Sequence, residues 1–151
     1  MPRYFLDSSA LVKRYHQESG TAQVEGLFQE PSNRLFISRL ALVEVHSCFA
    51  RLVREGVLRE ADFSRLIARL EEDVASGVLM VAAVSSHRLQ GASSLLGTHG
   101  LTNTVRTLDA IHLATAQALH VRGRIAAFVA ADKKLLAISA TACGLPVLDV
   151  G

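Results

Sequence analysis

Four acidic residues have the type and setting to do chemistry: Asp7, Glu44, Asp109 and Asp132. Asp7 closes the run Arg-Tyr-Phe-Leu-Asp, Asp109 stands in Leu-Asp-Ala-Ile-His, and Asp132 follows Phe-Val-Ala-Ala. Helix capping accounts for any one of these aspartates alone, because a carboxylate accepts from free backbone N–H groups and suits the positive end of a helix. Glu44, flanked by Leu42, Val43 and Val45, cannot be a cap. An acid inside a mostly apolar helix either reaches solvent or has a buried partner. A single explanation covers all four: carboxylates gathered at one place repel, so the set must take up protons or a cation. Donors that are all oxygen favour Mg²⁺ or Mn²⁺ over zinc, which prefers His and Cys. Such an ion polarises a phosphodiester and lowers the pKa of a bound water, which becomes the nucleophile.

The elements that must position these acids follow from the apolar pattern. Arg3–Leu6 reads as a strand running into a helix that extends to about Tyr15, and a second helix runs from about Thr21 to Gln29. Leu35–Ser38 reads as strand. From Arg39 to Glu55, Leu42, Val45, Phe49 and Leu52 recur at the helical period, as do Phe63, Ile67, Leu70 and Val74 in Glu60–Ser76. Val78–Val84 reads as a buried strand, Ser86–Leu96 as helix, 97–106 as loop and Leu108–Val121 as helix. Ala126–Ala131, Lys133–Cys143 and Pro146–Val150 then read as strand, helix and strand. Strands that are apolar throughout and alternate with helices predict an α/β fold, three-layered α/β/α, around a roughly five-stranded parallel sheet. In such sheets ligands bind beyond the carboxyl ends of the strands, where Asp7 and Asp132 fall. Asp109 opens a helix whose preceding loop can bring it to the same edge.

Composition narrows the class further. The chain has 151 residues, about one compact domain, and shows no repeat, so residues 1–151 read as a single domain. Half the residues are hydrophobic, 20% are charged, and the mean hydropathy is +0.28, which excludes a disordered chain. The longest apolar runs, Val78–Val84 and Ala126–Ala131, fall far short of the roughly 18 residues of a spanning helix, so no membrane role is expected. Asp7 interrupts the first apolar stretch, so no secretory leader is expected, and a cytoplasmic location is expected with it. A net charge of +2 excludes a histone-like binder but leaves local basic patches open. Cys48 and Cys143 form no CxxC pair, and buried free thiols are the natural reading.

The acids also sit in motifs that carry a resemblance. Tyr4–Tyr15, Tyr-Phe-Leu-Asp-Ser-Ser-Ala-Leu-Val-Lys-Arg-Tyr, resembles the opening of a PIN-domain protein. Ile37–Val45 is similar to the family's second motif and puts Glu44 on its glutamate. Leu108–Ala116 is close to the third, with Asp109 as its aspartate, and Phe128–Leu135 resembles the fourth, with Asp132 in place. The motifs occur in family order over nearly the whole chain, which looks most like the VapC toxins of prokaryotic toxin–antitoxin pairs. The resemblance implies a Mg²⁺- or Mn²⁺-dependent ribonuclease held by Asp7, Glu44, Asp109 and Asp132. It further implies an RNA substrate, a VapB-type antitoxin partner and a homodimer. Ser8 matches the family's hydroxyl beside the first acid. Ala130 departs from it, standing where Thr or Ser usually precedes the fourth acid by two residues.

Other residues near these acids have weaker claims to the chemistry. His112, three residues after Asp109, shares its helix face, and packing or orientation is expected of it rather than ligation. Arg14, Arg39, Lys133 and Lys134 neighbour the acids and are candidates for steering RNA phosphate. Arg51, Arg54, Arg59, Arg65 and Arg69 read as a solvated face. Two rival functions remain: a PIN-fold binding module without activity, and a haloacid-dehalogenase-like phosphatase. The latter needs a second Asp two residues after the first, where this chain has Ser9. No phosphate-binding glycine loop and no GxSxG elbow occur. Apolar surface around Val53, Val57 and Leu58 is expected to remain exposed for a second copy or an antitoxin.

Overall fold

A computed structural model describes all residues, Met1–Gly151. The elements in chain order are β1 (Arg3–Leu6), α1 (Ser8–Leu11) continued by a 3₁₀ turn (Val12–Arg14), α2 (Thr21–Gln29), β2 (Arg34–Ser38), α3 (Arg39–Arg54) and α4 (Glu60–Ala75). They continue with β3 (Leu79–Ala82), α5 (Ser86–His99), α6 (Thr107–Val121), β4 (Ala127–Ala130), α7 (Lys133–Ala142) and β5 (Val147–Asp149). The five strands form one parallel sheet in the order β3-β2-β1-β4-β5. The strand order reverses between β1 and β4, which makes that crevice the topological switch point.

Side-chain alternation along the strands builds the three layers. Leu6, Leu35, Ile37 and Val129 point into a core shared with α1 to α4, through Leu11, Val24, Val45, Phe49 and Leu70. Phe5, Phe36, Phe128 and Ala130 point to the opposite face, where Leu95, Leu113, Leu135 and Ile138 of α5 to α7 cover them. Phe5 and Phe128 are register partners and stack with centroids 5.9 Å apart.

The expected elements are all present, and the differences lie at the sheet edges and helix ends. The strand expected over Val78–Val84 is only Leu79–Ala82, and Val78 is exposed. It is an edge strand, so half its surroundings are solvent rather than a neighbouring strand. β5, at the other edge, is exposed along its length. The α5 helix runs on to His99, which shortens the loop before α6. Of the three residues expected to stay exposed between α3 and α4, Val57 does, Val53 is half-buried, and Leu58 packs against the larger core. No helix is long and apolar enough to cross a membrane.

Candidate active site

The four acids arrive at the carboxyl edge of the sheet on four different elements. Asp7 directly follows β1, and its backbone N–H extends the ladder by donating to the Val129 carbonyl (2.9 Å). Its carboxylate caps α1: Oδ2 accepts from the Ser9 N–H (3.3 Å) and the Ser9 hydroxyl (2.7 Å). That hydroxyl in turn accepts from the Ala131 N–H at 3.1 Å, so Ser9 ties the first acid to the turn after β4. Asp132 caps α7, with Oδ1 accepting from the N–H groups of Lys134 (2.9 Å) and Leu135 (3.1 Å). Asp109 is the third residue of α6 rather than its opening residue, because the helix starts at Thr107. Its Oδ2 accepts from the Arg106 N–H at 3.4 Å. Capping and a place in the site are therefore compatible: Asp7 and Asp132 use one oxygen on their own helix and keep the other free.

Glu44 and His112 join the two helical layers across that edge. Glu44 projects from α3 and His112 from α6, and His112 Nε2 meets Glu44 Oε1 in a hydrogen bond. The other ring nitrogen, Nδ1, lies 3.0 Å from the hydroxyl of Ser38, the residue that ends β2 and caps α3. Asp7 Oδ1 is 3.7 Å from His112 Nε2. Burial alone would lower the His112 pKa; the Glu44 hydrogen bond and the charges of Asp7, Glu44 and Asp109 outweigh it and raise the pKa. An imidazolium donating to both Ser38 and Glu44 satisfies this geometry. Burial pushes the Asp7 carboxyl up, against the opposing pull of His112 and Ser9.

The other two acids meet a second cation. Arg106 Nε donates to Asp109 Oδ2 (3.0 Å), Nη2 reaches Asp109 Oδ1 (3.5 Å), and Nη2 lies 4.0 Å from Asp132 Oδ2. The four acids thus fall into two pairs, Asp7 with Glu44 around His112 and Asp109 with Asp132 around Arg106. As placed, no three side chains of the metal-ligating types stand close enough to hold one ion. The donor chemistry nonetheless fits a hard divalent cation: all four donors are carboxylates, and each pair has only one positive group against two acids, which leaves room for further positive charge. A cleft of about 270 Å³ opens between Arg106, Asp109, Asp132 and Lys134, and a second, of about 330 Å³, lies between Glu44, Arg106 and Asp109. A larger cleft of about 590 Å³ between α5 and α6 is lined by none of the four acids.

Several neighbours take different roles from those expected. Ser9, not Ser8, makes the hydroxyl contact to Asp7, since the second helical position is the one that faces the cap side chain. Arg14 is turned inward, 3.4 Å from Asp73 and stacked on Phe28 at 4.5 Å, which commits it to anchoring α4 rather than to RNA. Lys133 pairs with Asp149. Arg39 and Lys134 are exposed, and Lys134 lines the acidic cleft. Ala130 is fully buried in the core beneath α5 to α7. Arg106 stands out in the sequence only by its place three residues before Asp109.

A parallel sheet of this order, with acids at its carboxyl edge beside the switch point, defines an α/β protein whose binding site lies at that edge. The chain belongs to the PIN-domain family, whose model matches residues 4–140. VapC20 of Mycobacterium tuberculosis, described as a toxin cleaving the sarcin–ricin loop, is similar in structure with a TM-score of 0.66 and 18% identity, over 89% of this chain and 93% of that one. PAE2754 of Pyrobaculum aerophilum gives 0.65 and 19%, over 99% and 90%. The VapBC2 complex of Rickettsia felis, bound to promoter DNA, contains a chain giving 0.63 and 17%, over 97% and 98%. Among curated protein sequences none matches the chain.

Proposed function

We propose that this chain is a metal-dependent endoribonuclease of PIN type, and that it is the toxin of a VapBC-type pair with a VapB-type antitoxin as partner. The observation that carries the reading is the arrival of Asp7, Glu44, Asp109 and Asp132, from separate elements, at one sheet edge beside the switch point. Family membership supports nuclease chemistry, and the similarity to VapC20 and to the VapBC2 chain supports the toxin role. The four acids would hold one or two Mg²⁺ or Mn²⁺ ions, which supply an activated water and a polarised phosphate when bound. Ser9 holds Asp7 in place, and His112, braced by Ser38, orients Glu44. Arg39 and Lys134 draw the RNA phosphates toward the acids. Attack by water in line leaves the 2′-hydroxyl uninvolved, so the products carry 5′-phosphate and 3′-hydroxyl ends. Exposed Val43, Val57 and Leu108 provide apolar surface for a homodimer or for the antitoxin.

The test is cleavage of end-labelled RNA by the purified chain, with product ends mapped in Mg²⁺, Mn²⁺ or EDTA. Cleavage is expected only with metal, and Asp7→Asn, Glu44→Gln, Asp109→Asn and Asp132→Asn should each lower it by about a hundredfold or more. Products ending in 2′,3′-cyclic phosphate would overturn the water-attack mechanism. RNA binding without cleavage under every metal condition would favour the inactive binding module.

A further inference from the structure

We propose that Arg106 is an exchangeable internal counter-ion of this site, which a divalent cation displaces from Asp109 and Asp132. The inference rests on the metal-site reading above. The guanidinium spans acids of two different elements, 3.0 and 3.5 Å from Asp109 and 4.0 Å from Asp132. It therefore occupies the place where positive charge is needed between them. The two sides of this contact are held very differently. The Asp109 side chain is only 13% exposed, whereas that of Arg106 is 73% exposed. A carboxylate so placed cannot move to solvent without moving α6, and leaving it uncompensated is costly. The arginine can swing out without disturbing any core contact, since both clefts it lines open to solvent on either side of it. Departure of the guanidinium therefore requires another cation to arrive, which makes the step an exchange.

The contrast with His112 sharpens the assignment. His112 is fully buried and held at both ring nitrogens, by Ser38 and Glu44, so it stays in the site whatever binds there. Only Arg106 is both bonded to the acids and free to leave. Its strength as a competitor then sets the divalent-ion concentration at which the site fills.

The experiment is Mn²⁺ binding to the full chain by isothermal titration calorimetry, comparing the parent with Arg106→Ala and Lys134→Ala. Loss of a competing charge-assisted pair predicts about three- to tenfold tighter Mn²⁺ binding in Arg106→Ala. Lys134→Ala removes the same charge from the same cleft without breaking a bridge, and should shift affinity by less than about twofold. Arg106→Lys, which keeps the charge but not the planar fork, should fall between parent and Arg106→Ala, and it carries the test if the alanine variant folds poorly. Equal tightening in Arg106→Ala and Lys134→Ala, or no tightening in the arginine variants, overturns the exchange while leaving the metal site standing. A folded parent that binds no Mn²⁺ overturns the metal-site reading, and the exchange with it.

Discussion

Single side chains in this site do two jobs at once. Asp7 and Asp132 each satisfy backbone donors of their own helix through one oxygen and turn the second toward a cation of the site, His112 for Asp7 and Arg106 for Asp132. Ser9 is the clearest case, since its hydroxyl donates to Asp7 and accepts from the Ala131 N–H. Ser9→Ala therefore leaves a backbone donor unpaired and weakens the hold on Asp7. The expected loss is about 1–3 kcal/mol of unfolding free energy. Ser8→Ala, which removes a hydroxyl with no such contacts, should change stability by less than about 0.5 kcal/mol. Chemical denaturation of the two variants checks this, and equal losses would show that the bridge contributes nothing.

At the scale of the element, the helices are placed so that their ends deliver the acids. α7 begins at Asp132, whose Oδ1 takes two N–H groups, so the same residue starts a helix and faces the cleft. Substitution separates those roles. Asn caps about as well as Asp, so Asp132→Asn should leave stability nearly unchanged, while Asp132→Ala should cost about 1 kcal/mol. Both should abolish RNA cleavage. Thermal melts beside cleavage assays distinguish them, and an active Asp132→Asn would make Asp132 a cap alone. On the opposite face, α4 is anchored through Asp73, which accepts from the Tyr15 hydroxyl at 2.8 Å beside Arg14. That anchor explains why Arg14, adjacent to the first motif, is unavailable to a substrate.

At the scale of the whole molecule, the Glu44–His112 contact ties one helical layer to the other, and stability should depend on pH accordingly. His112 has a raised pKa in the fold, so its protonated form stabilises the native state. That contribution is complete below the ordinary imidazole value of 6.5 and is lost as pH rises through the raised value. Asp7 acts in the same direction in its own range: with its pKa raised above 3.8, its contribution is present at lower pH and lost as pH rises. The metal-free chain should therefore become less stable as pH is raised above 6.5, and His112→Gln should flatten that decline. Denaturant midpoints measured on both sides of 6.5 test this. A parent and variant with parallel pH profiles would show that His112 is neutral in the fold.

The amino-acid sequence by itself determined the layered α/β architecture and singled out the four candidate acids. Apolar runs such as Phe5–Leu6 and Phe128–Val129 can only be buried on both faces, and the alternating helices can only cover them. The short motifs around Asp7, Glu44, Asp109 and Asp132 carry their own local signals of strand end, helix interior and cap. What neighbours those acids was decided by tertiary structure. Whether Ser8 or Ser9 reaches Asp7 depends on the direction a side chain takes from the first turn of α1. The two-pair arrangement depends on α3 and α6, 68 positions apart at the Glu44–His112 contact, meeting over one sheet edge. Arg106 shows the limit most clearly. Its spacing to Asp109 is local, but its reach to Asp132 exists only because β4 lies beside β1 and brings the start of α7 alongside the start of α6.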